Sequence, residues 1–201
     1  MFRRLLTLTT MAAAVALTPP VLAAEAYVFD EAHSNIQFRW DHFGYSTTSA
    51  EFEDFSGQLM YNADEATQSS IDVEIDMASV DSGVDTFNGH LRNKPEWFDV
   101  DKHPTAHFDS TNIEAVGDNR YHVTGDLTLK GVTREVVLET VINKIGKHPS
   151  TKARTIGLDA TTTVSRSQFD MGKYAPAVGD DVTIDISAEM QRKADLDEEQ
   201  G

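Results

Sequence analysis

Polar and apolar residues alternate strictly over Ser70–Met77, SIDVEIDM, with Ile71, Val73, Ile75 and Met77 on one side and Ser70, Asp72, Glu74 and Asp76 on the other. Successive side chains of an extended strand point to opposite faces, so this period predicts a strand with one buried and one wetted face. The same period returns in NIQFRW, where Ile36, Phe38 and Trp40 share a side, and in DVTIDISAEM, where Val182, Ile184, Ile186, Ala188 and Met190 do. Three widely separated segments therefore each present one apolar face.

Between them, RYHVTGDLTLKGVTREVVLETVI and ARTIGLDATTTVSRS are rich in Val, Ile, Thr and Leu, residues that fit a pleated, half-buried surface. Lys130-Gly131 separates two such runs at the spacing of a tight hairpin turn, with Gly131 free to take positive φ. About nine strands are expected, near Tyr27–Phe29, Ser34–His42, Ser56–Tyr61, Ser70–Met77, Thr105–Glu114, Arg120–Leu129, Val132–Lys144, Ala153–Val164 and Val182–Gln191. Strands that follow one another without alternating helices favour an antiparallel barrel or sandwich over a parallel sheet. One region interrupts them: VDSGVDTFNGHLRNKPEWF predicts a short helix capped by Ser82, with Asp85 three positions on and Gly89 limiting its length, then a single turn begun by Pro95. The C-terminal RKADLDEEQG has too little apolar surface to pack, so residues 192–201 are expected to be a charged, disordered tail.

The N-terminus has a different character. Arg3 and Arg4 precede the apolar LLTLTTMAAAVAL and the small-residue PPVLAAEA, the layout of a secretory signal peptide over residues 1–23, with cuts after Ala23 and Ala24 fitting equally well. Residues 24–191 then form a single domain expected in the periplasm. The chain has no cysteine, which removes disulfides, thiolate nucleophiles and zinc–thiolate sites together. Of 17 basic residues, 15 remain once Arg3 and Arg4 are gone, against 33 acidic ones, a net charge near −18. Phosphate backbones repel such a surface, so nucleic acid is not an expected partner, and contact with anionic membranes is expected to be transient. An outer-membrane barrel alternates as well, with its apolar face turned outward to lipid; several strands here are shorter than a bilayer requires, but alternation by itself leaves the sidedness open.

Six stretches, in order, carry a resemblance to a known family: HSNIQFRWDHFGYS; FEDFSGQL; SVDSG leading to HLR; WFDVDKHPTAHFDST; GDLTLKGVTREVVL; and SRSQFDMGKY with VGDDVTIDISAEM. Together they resemble the YceI-like, polyisoprenoid-binding periplasmic proteins across essentially the whole mature chain. The resemblance implies an all-β fold with short helices, an extended eight-stranded antiparallel lipocalin-like β-barrel with a helical lid segment, whose interior holds a long isoprenoid chain. Four departures stand out. Phe87 and Asn88 replace a usual Arg-Asp pair, the Arg92–Trp97 segment is about one residue longer, His103 stands where the family usually has Tyr, and Ala50 where it often has Gly. These put the recognition of a headgroup in doubt, not the fold.

The resemblance and the alternation together nominate a ligand-binding set. Ile36, Phe38 and Trp40, then Val73, Ile75 and Met77, then Ile184 and Ile186 are expected to line the interior, against the plainer reading that they pack one another in an ordinary core. Leu127, Leu129 and Phe169 join them from the family-like stretches. Leu91, Trp97, Phe98 and Phe108 are candidates for the mouth and lid, because aromatic side chains suit a boundary between wet and dry. His33 and His90 are candidates for hydrogen bonds at the entrance. His103 and His107 stand four apart on a segment that Pro104 keeps from being helical, and the other histidines are scattered, so no metal ligand is nominated. There is no G-x-S-x-G and no nucleophile beside a base, so no catalytic residue is nominated and the chain is read as a non-enzyme. The expected function is to carry or sequester a polyisoprenoid-type chain, a quinone or polyprenyl compound, with no other cofactor and with assembly as a homodimer left open. A periplasmic metal- or haem-binding module is the alternative.

Overall fold

The computed structural model describes residues 24–199; residues 1–23, read above as a signal peptide, lie outside them. Eleven strands appear in chain order: β1 (Glu25–Phe29), β2 (Asn35–His42), β3 (Ser46–Phe52), β4 (Phe55–Tyr61), β5 (Ser70–Asp76), β6 (Val80–Asp81), β7 (Thr105–Gly117), β8 (Arg120–Leu129), β9 (Val132–Lys147), β10 (Arg154–Ser165) and β11 (Val178–Arg192). Two helices accompany them, α1 (Asp85–Asn93) and α2 (Lys193–Glu199). Neighbouring strands run antiparallel in the order β1-β4-β5-β7-β8-β9-β10-β11, and β11 pairs back to β1, closing a ring of eight. Closure leaves no open edge along the ring.

Three barrel strands are broken in two. β1 continues as β2 after a 3-10 turn at Glu31–His33, β3 is separated from β4 by Glu53 and Asp54, and β5 continues as β6 after a 3-10 turn at Met77–Ser79. The upper pieces pair among themselves, β11 with β2, β2 with β3, and β3 with β6. β3, STTSAEF, escaped the alternation count because only Ala50 and Phe52 are apolar in it. It forms anyway, since β2 offers it an unbroken register from Ile36↔Phe52 to His42↔Ser46.

The apolar rows face inward. Ile36, Phe38 and Trp40 are buried while Asn35, Gln37 and Arg39 are exposed, and the same sidedness holds in β5, β8 and β10. That arrangement is the reverse of a lipid-facing barrel. At the β8–β9 turn both Lys130 and Gly131 have positive φ, 52° and 75°, the pair of values a two-residue type I′ hairpin needs.

Two expectations need correction. Ser82 does not cap α1: the residue before the helix is Val84, with no side-chain cap, and Ser82 instead gives its amide and hydroxyl to Asn88 Oδ1 at 2.8 and 2.6 Å. Residues 193–199, expected to be disordered, form α2. Asp195 anchors that helix by accepting the Arg154 backbone amide at 2.7 Å and pairing with Arg192; these bonds hold it where apolar surface alone would not.

Gly125 shows how tightly the wall is built. A Cβ placed there would lie 2.4 Å from the Phe108 ring and 2.6 Å from the Asp109 carbonyl, so Phe108 packs flat across a strand position that has no side chain. Overpacking of a fitted site costs about 1–3 kcal/mol. Gly125→Ala is therefore expected to lower the denaturant midpoint by that equivalent, measured by chemical unfolding followed by tryptophan fluorescence; an unchanged midpoint would show that Phe108 is free to swing away.

Candidate functional site

The closed ring encloses an elongated cavity rather than a filled core. Its lining descends two neighbouring strands in step, from Val164 to Ile156 on β10 and from Val182 to Met190 on β11. Eight residue steps of about 3.3 Å, at a barrel tilt of about 35–45°, amount to about 20 Å along the axis. The space open to the centre of a water-sized sphere is about 220 Å³. Spread over that length, and with the sphere's radius of about 1.4 Å added, it is a bore about 6–7 Å wide. Carbon atoms approach within about 4 Å, so the bore fits one branched hydrocarbon chain but not two side by side.

All fifteen nominated residues stand on its wall. Ile36, Phe38 and Trp40 enter from β2, Val73 and Ile75 from β5 with Met77 just beyond, Leu127 and Leu129 from β8, and Ile184 and Ile186 from β11, while Leu91, Trp97, Phe98, Phe108 and Phe169 complete the set. The polar residues among the lining are Ser69, Thr140, Thr162 and Arg166, along with the phenols of Tyr61 and Tyr121. Among the described residues, no carboxylate or imidazole faces the cavity.

Sequence reasoning missed part of the wall. Val136 and Leu138 line it from β9, and Ala160 and Thr162 from β10. In VVLETVI the outward Val137, 41% exposed, is as apolar as its inward neighbours, so the run has no readable phase. On β10 the threonines hide the period. What could have found these residues is register: β9 and β10 pair with strands whose inner faces were already legible.

The upper end is sealed by α1 and the segment after it. Leu91, Phe98, Phe169 and Met171 are all buried there, with Phe98 against Phe38 and Phe52 at centroid distances of 6.0 and 5.7 Å. Phe108, expected at the mouth, sits instead on the wall over Gly125. His90 is exposed on α1, and His33 is nowhere near this end: it lies on the outer face at the β1–β2 break.

Three cations strap the lid down. Lys130 Nζ donates to the Pro95 and Asp170 carbonyls, and burial holds its pKa below the ordinary lysine value. Lys173 donates to Glu96 Oε1 at 2.8 Å, and that bond lowers the Glu96 carboxyl. The Arg166 guanidinium stacks 5.2 Å above the Trp97 ring and donates to four backbone carbonyls, those of Met171, Lys173, Val178 and Gly179. Burial lowers its pKa. Arg166 therefore stitches the 171–179 loop to the lid and has few donors left to offer a ligand.

The departures from the family pattern turn out to be packing residues. Asn88 is buried, and its amide is spent on Ser82 and on Asp81 Oδ1 at 2.6 Å. Phe87 packs 6.2 Å from the Trp40 ring. His103 lies beneath the Gly131 turn, and Ala50 is buried opposite Phe38. None of the four presents a free polar group to the cavity.

The lower end differs. Tyr27, Leu59, Ile156 and Met190 pack into a floor, under which Arg192 bridges Glu25 at 2.8 Å and also pairs with Asp195. Beside the floor, Ala66 and Ser69 of the β4–β5 loop and Ile113 and Tyr121 of β7 and β8 line the cavity while only half-buried.

Comparison with known proteins places this geometry among relatives. The sequence model for the YceI-like domain matches residues 27–190. A UPF0312 protein of Ectopseudomonas mendocina is 32% identical over 183 residues, covering 88% of this chain and 95% of the relative, and one from Azotobacter vinelandii is 31% identical over 195 residues, covering 96% and 100%. Among solved structures, BcnA of Burkholderia cenocepacia superposes with a TM-score of 0.72 at 30% identity, over 80% of this chain and 98% of that one. A polyisoprenoid binding domain from Saccharophagus degradans does so at 0.64 and 15% identity, over 84% and 99%, a likeness of fold alone.

The straps make the lid testable. Hydrogen bonds from a charged donor contribute about 1.5–3 kcal/mol, so Lys130→Met should speed hydrogen exchange at the Trp97, Phe98 and Val100 amides by roughly ten- to a hundred-fold. Mass-spectrometric exchange with peptide resolution reads this directly; unaltered protection there would mean that Lys130 does not hold the lid.

Proposed function

Because this chain belongs to the YceI-like domain family, we propose that it binds one long isoprenoid-type chain, a polyprenyl compound or the tail of a quinone, lengthwise in its barrel, and performs no covalent chemistry on it. The observation that carries the reading is the bore itself: about one hydrocarbon chain wide, about 20 Å long and walled by apolar side chains. A cavity of this shape left empty forgoes dispersion contacts along its whole lining, and a slender apolar guest restores them.

The energetics are sufficient without polar help. Enclosing about twenty CH₂-sized groups gains on the order of 16 kcal/mol gross at about 0.8 kcal/mol each. Ordering a flexible chain removes much of that, yet micromolar affinity needs only about 8 kcal/mol net. The lining offers no base to activate Ser69, whose hydroxyl already accepts the Asn62 amide at 3.0 Å, and this favours a binder over a hydrolase. With no charged side chain but the backbone-bonded Arg166 along the bore among the described residues, a charged headgroup would stay at an end of the tunnel.

The signal-like N-terminus favours action in the periplasm, with ligand collected and released in brief membrane contacts. Phe43 and Tyr45 at the β2–β3 turn and Tyr174 in the neighbouring loop, 51, 93 and 52% exposed, give the lid end one apolar and two amphipathic rings suited to a bilayer surface.

Native mass spectrometry of protein purified from its own periplasm, followed by organic extraction, is expected to recover a stoichiometric long apolar molecule. A bare mass, together with failure to take up any added prenyl lipid, would overturn the proposal. Ile184→Asp, which sets a carboxylate midway down the bore, should abolish uptake while the β-sheet circular dichroism stays intact; a folded variant that still loads lipid would show that the chain does not pass that point.

A further inference from the structure

Outside the barrel, on the face opposite the bore, two segments far apart in sequence bring three metal-ligating side chains together. Asp30 follows β1 and caps the 3-10 turn that His33 closes, and Glu189 points outward from β11. One donor atom from each falls within 4.8 Å of the others. We propose that Asp30, His33 and Glu189 form a binding site for a single divalent transition-metal ion of the zinc type.

The geometry is close to what such an ion demands. Metal–nitrogen and metal–oxygen bonds of about 2.0–2.2 Å set adjacent ligands about 2.9–3.5 Å apart, between octahedral and tetrahedral angles. His33 Nδ1 and Asp30 Oδ2 stand 3.1 Å apart. A single proton now bridges them, and a divalent ion would take that proton's place. The Glu189 donor lies within 4.8 Å of the other two and its side chain is 40% exposed, so a side-chain rotation of at most about 2 Å brings it to the separation of adjacent ligands.

The site also has the outer support that holds metal ligands in place. Asp30 Oδ1 accepts the Ala32 amide at 3.1 Å, and Oδ2 accepts the amide of Gln191 at 2.8 Å, the latter a buried side chain. His148, on the β9–β10 loop, accepts the Ser150 and Thr151 backbone amides through Nδ1. Its Nε2 therefore carries the proton and faces Glu189 Oε2 at 4.0 Å, which makes His148 a support for the carboxylate and not a ligand. Two carboxylates and one imidazole leave positions for water. Imidazole suits zinc-type ions, whereas an all-oxygen set would suit calcium or magnesium.

Bound there, the ion would clamp the β1–β2 break to β11 at the level where β11 changes partner from β2 to β1. The site shares no residue with the bore and does not rest on its being a lipid tunnel.

Isothermal titration of the metal-free mature chain with zinc chloride is expected to give one Zn²⁺ per chain with micromolar affinity and a raised thermal midpoint. His33→Ala and Glu189→Gln should each weaken binding at least tenfold, His90→Ala on the far lid should leave it unchanged, and a hundredfold excess of Ca²⁺ should not displace the zinc. Absence of one-to-one binding, retention of full affinity in His33→Ala or Glu189→Gln, loss in His90→Ala, or displacement by Ca²⁺ would each overturn the proposal.

Discussion

The structure depends on the closure of one hydrogen-bonded ring. β11 is the keystone: over fifteen residues it pairs with β10 along nearly its full length, with β2 above and with β1 below. A sheet that ended at β11 would need a packed core to hold its shape. A sheet that returns on itself is held by backbone bonds, and this releases the inward side chains from the task of filling space. They need only be apolar and roughly matched in size, which is why the centre can remain a bore while Tyr27, Ile156 and Met190 pack solidly at one end and Phe98 and Phe169 at the other.

Legibility in the sequence follows from the same division. Strands wet on one side and dry on the other wrote their phase into SIDVEIDM, NIQFRW and DVTIDISAEM, and every residue nominated from them lies on the wall. Where the outer face is also apolar, as at Val137, or the inner face carries threonine, as at Thr162, the phase disappears although the residues line the same cavity. β3 had almost no signal of its own and is shaped by its partner. These are tertiary effects, in which a neighbour's register decides what local composition leaves undecided.

The cationic straps and the outer cluster were illegible for another reason. Lys130, Arg166 and Lys173 look like ordinary surface charges in the sequence, and only the folded chain shows that Lys130 reaches the Pro95 carbonyl, Lys173 reaches Glu96 and Arg166 stacks on Trp97. His33 and Glu189 are 156 positions apart, so no spacing rule could have joined them. The departures at Phe87, Asn88 and His103 were visible, but their meaning changed: they adjust how the lid seats and leave the bore's chemistry alone.

Lys130 occupies the first position of a type I′ turn, where asparagine fits the left-handed backbone with less strain. An engineer asked only for a sturdier hairpin would choose Asn-Gly, and would disconnect the amine that reaches Pro95 and Asp170. Turn stability and the anchoring of the lid are thus in competition at a single codon, and consensus-style optimisation of this scaffold would trade one for the other.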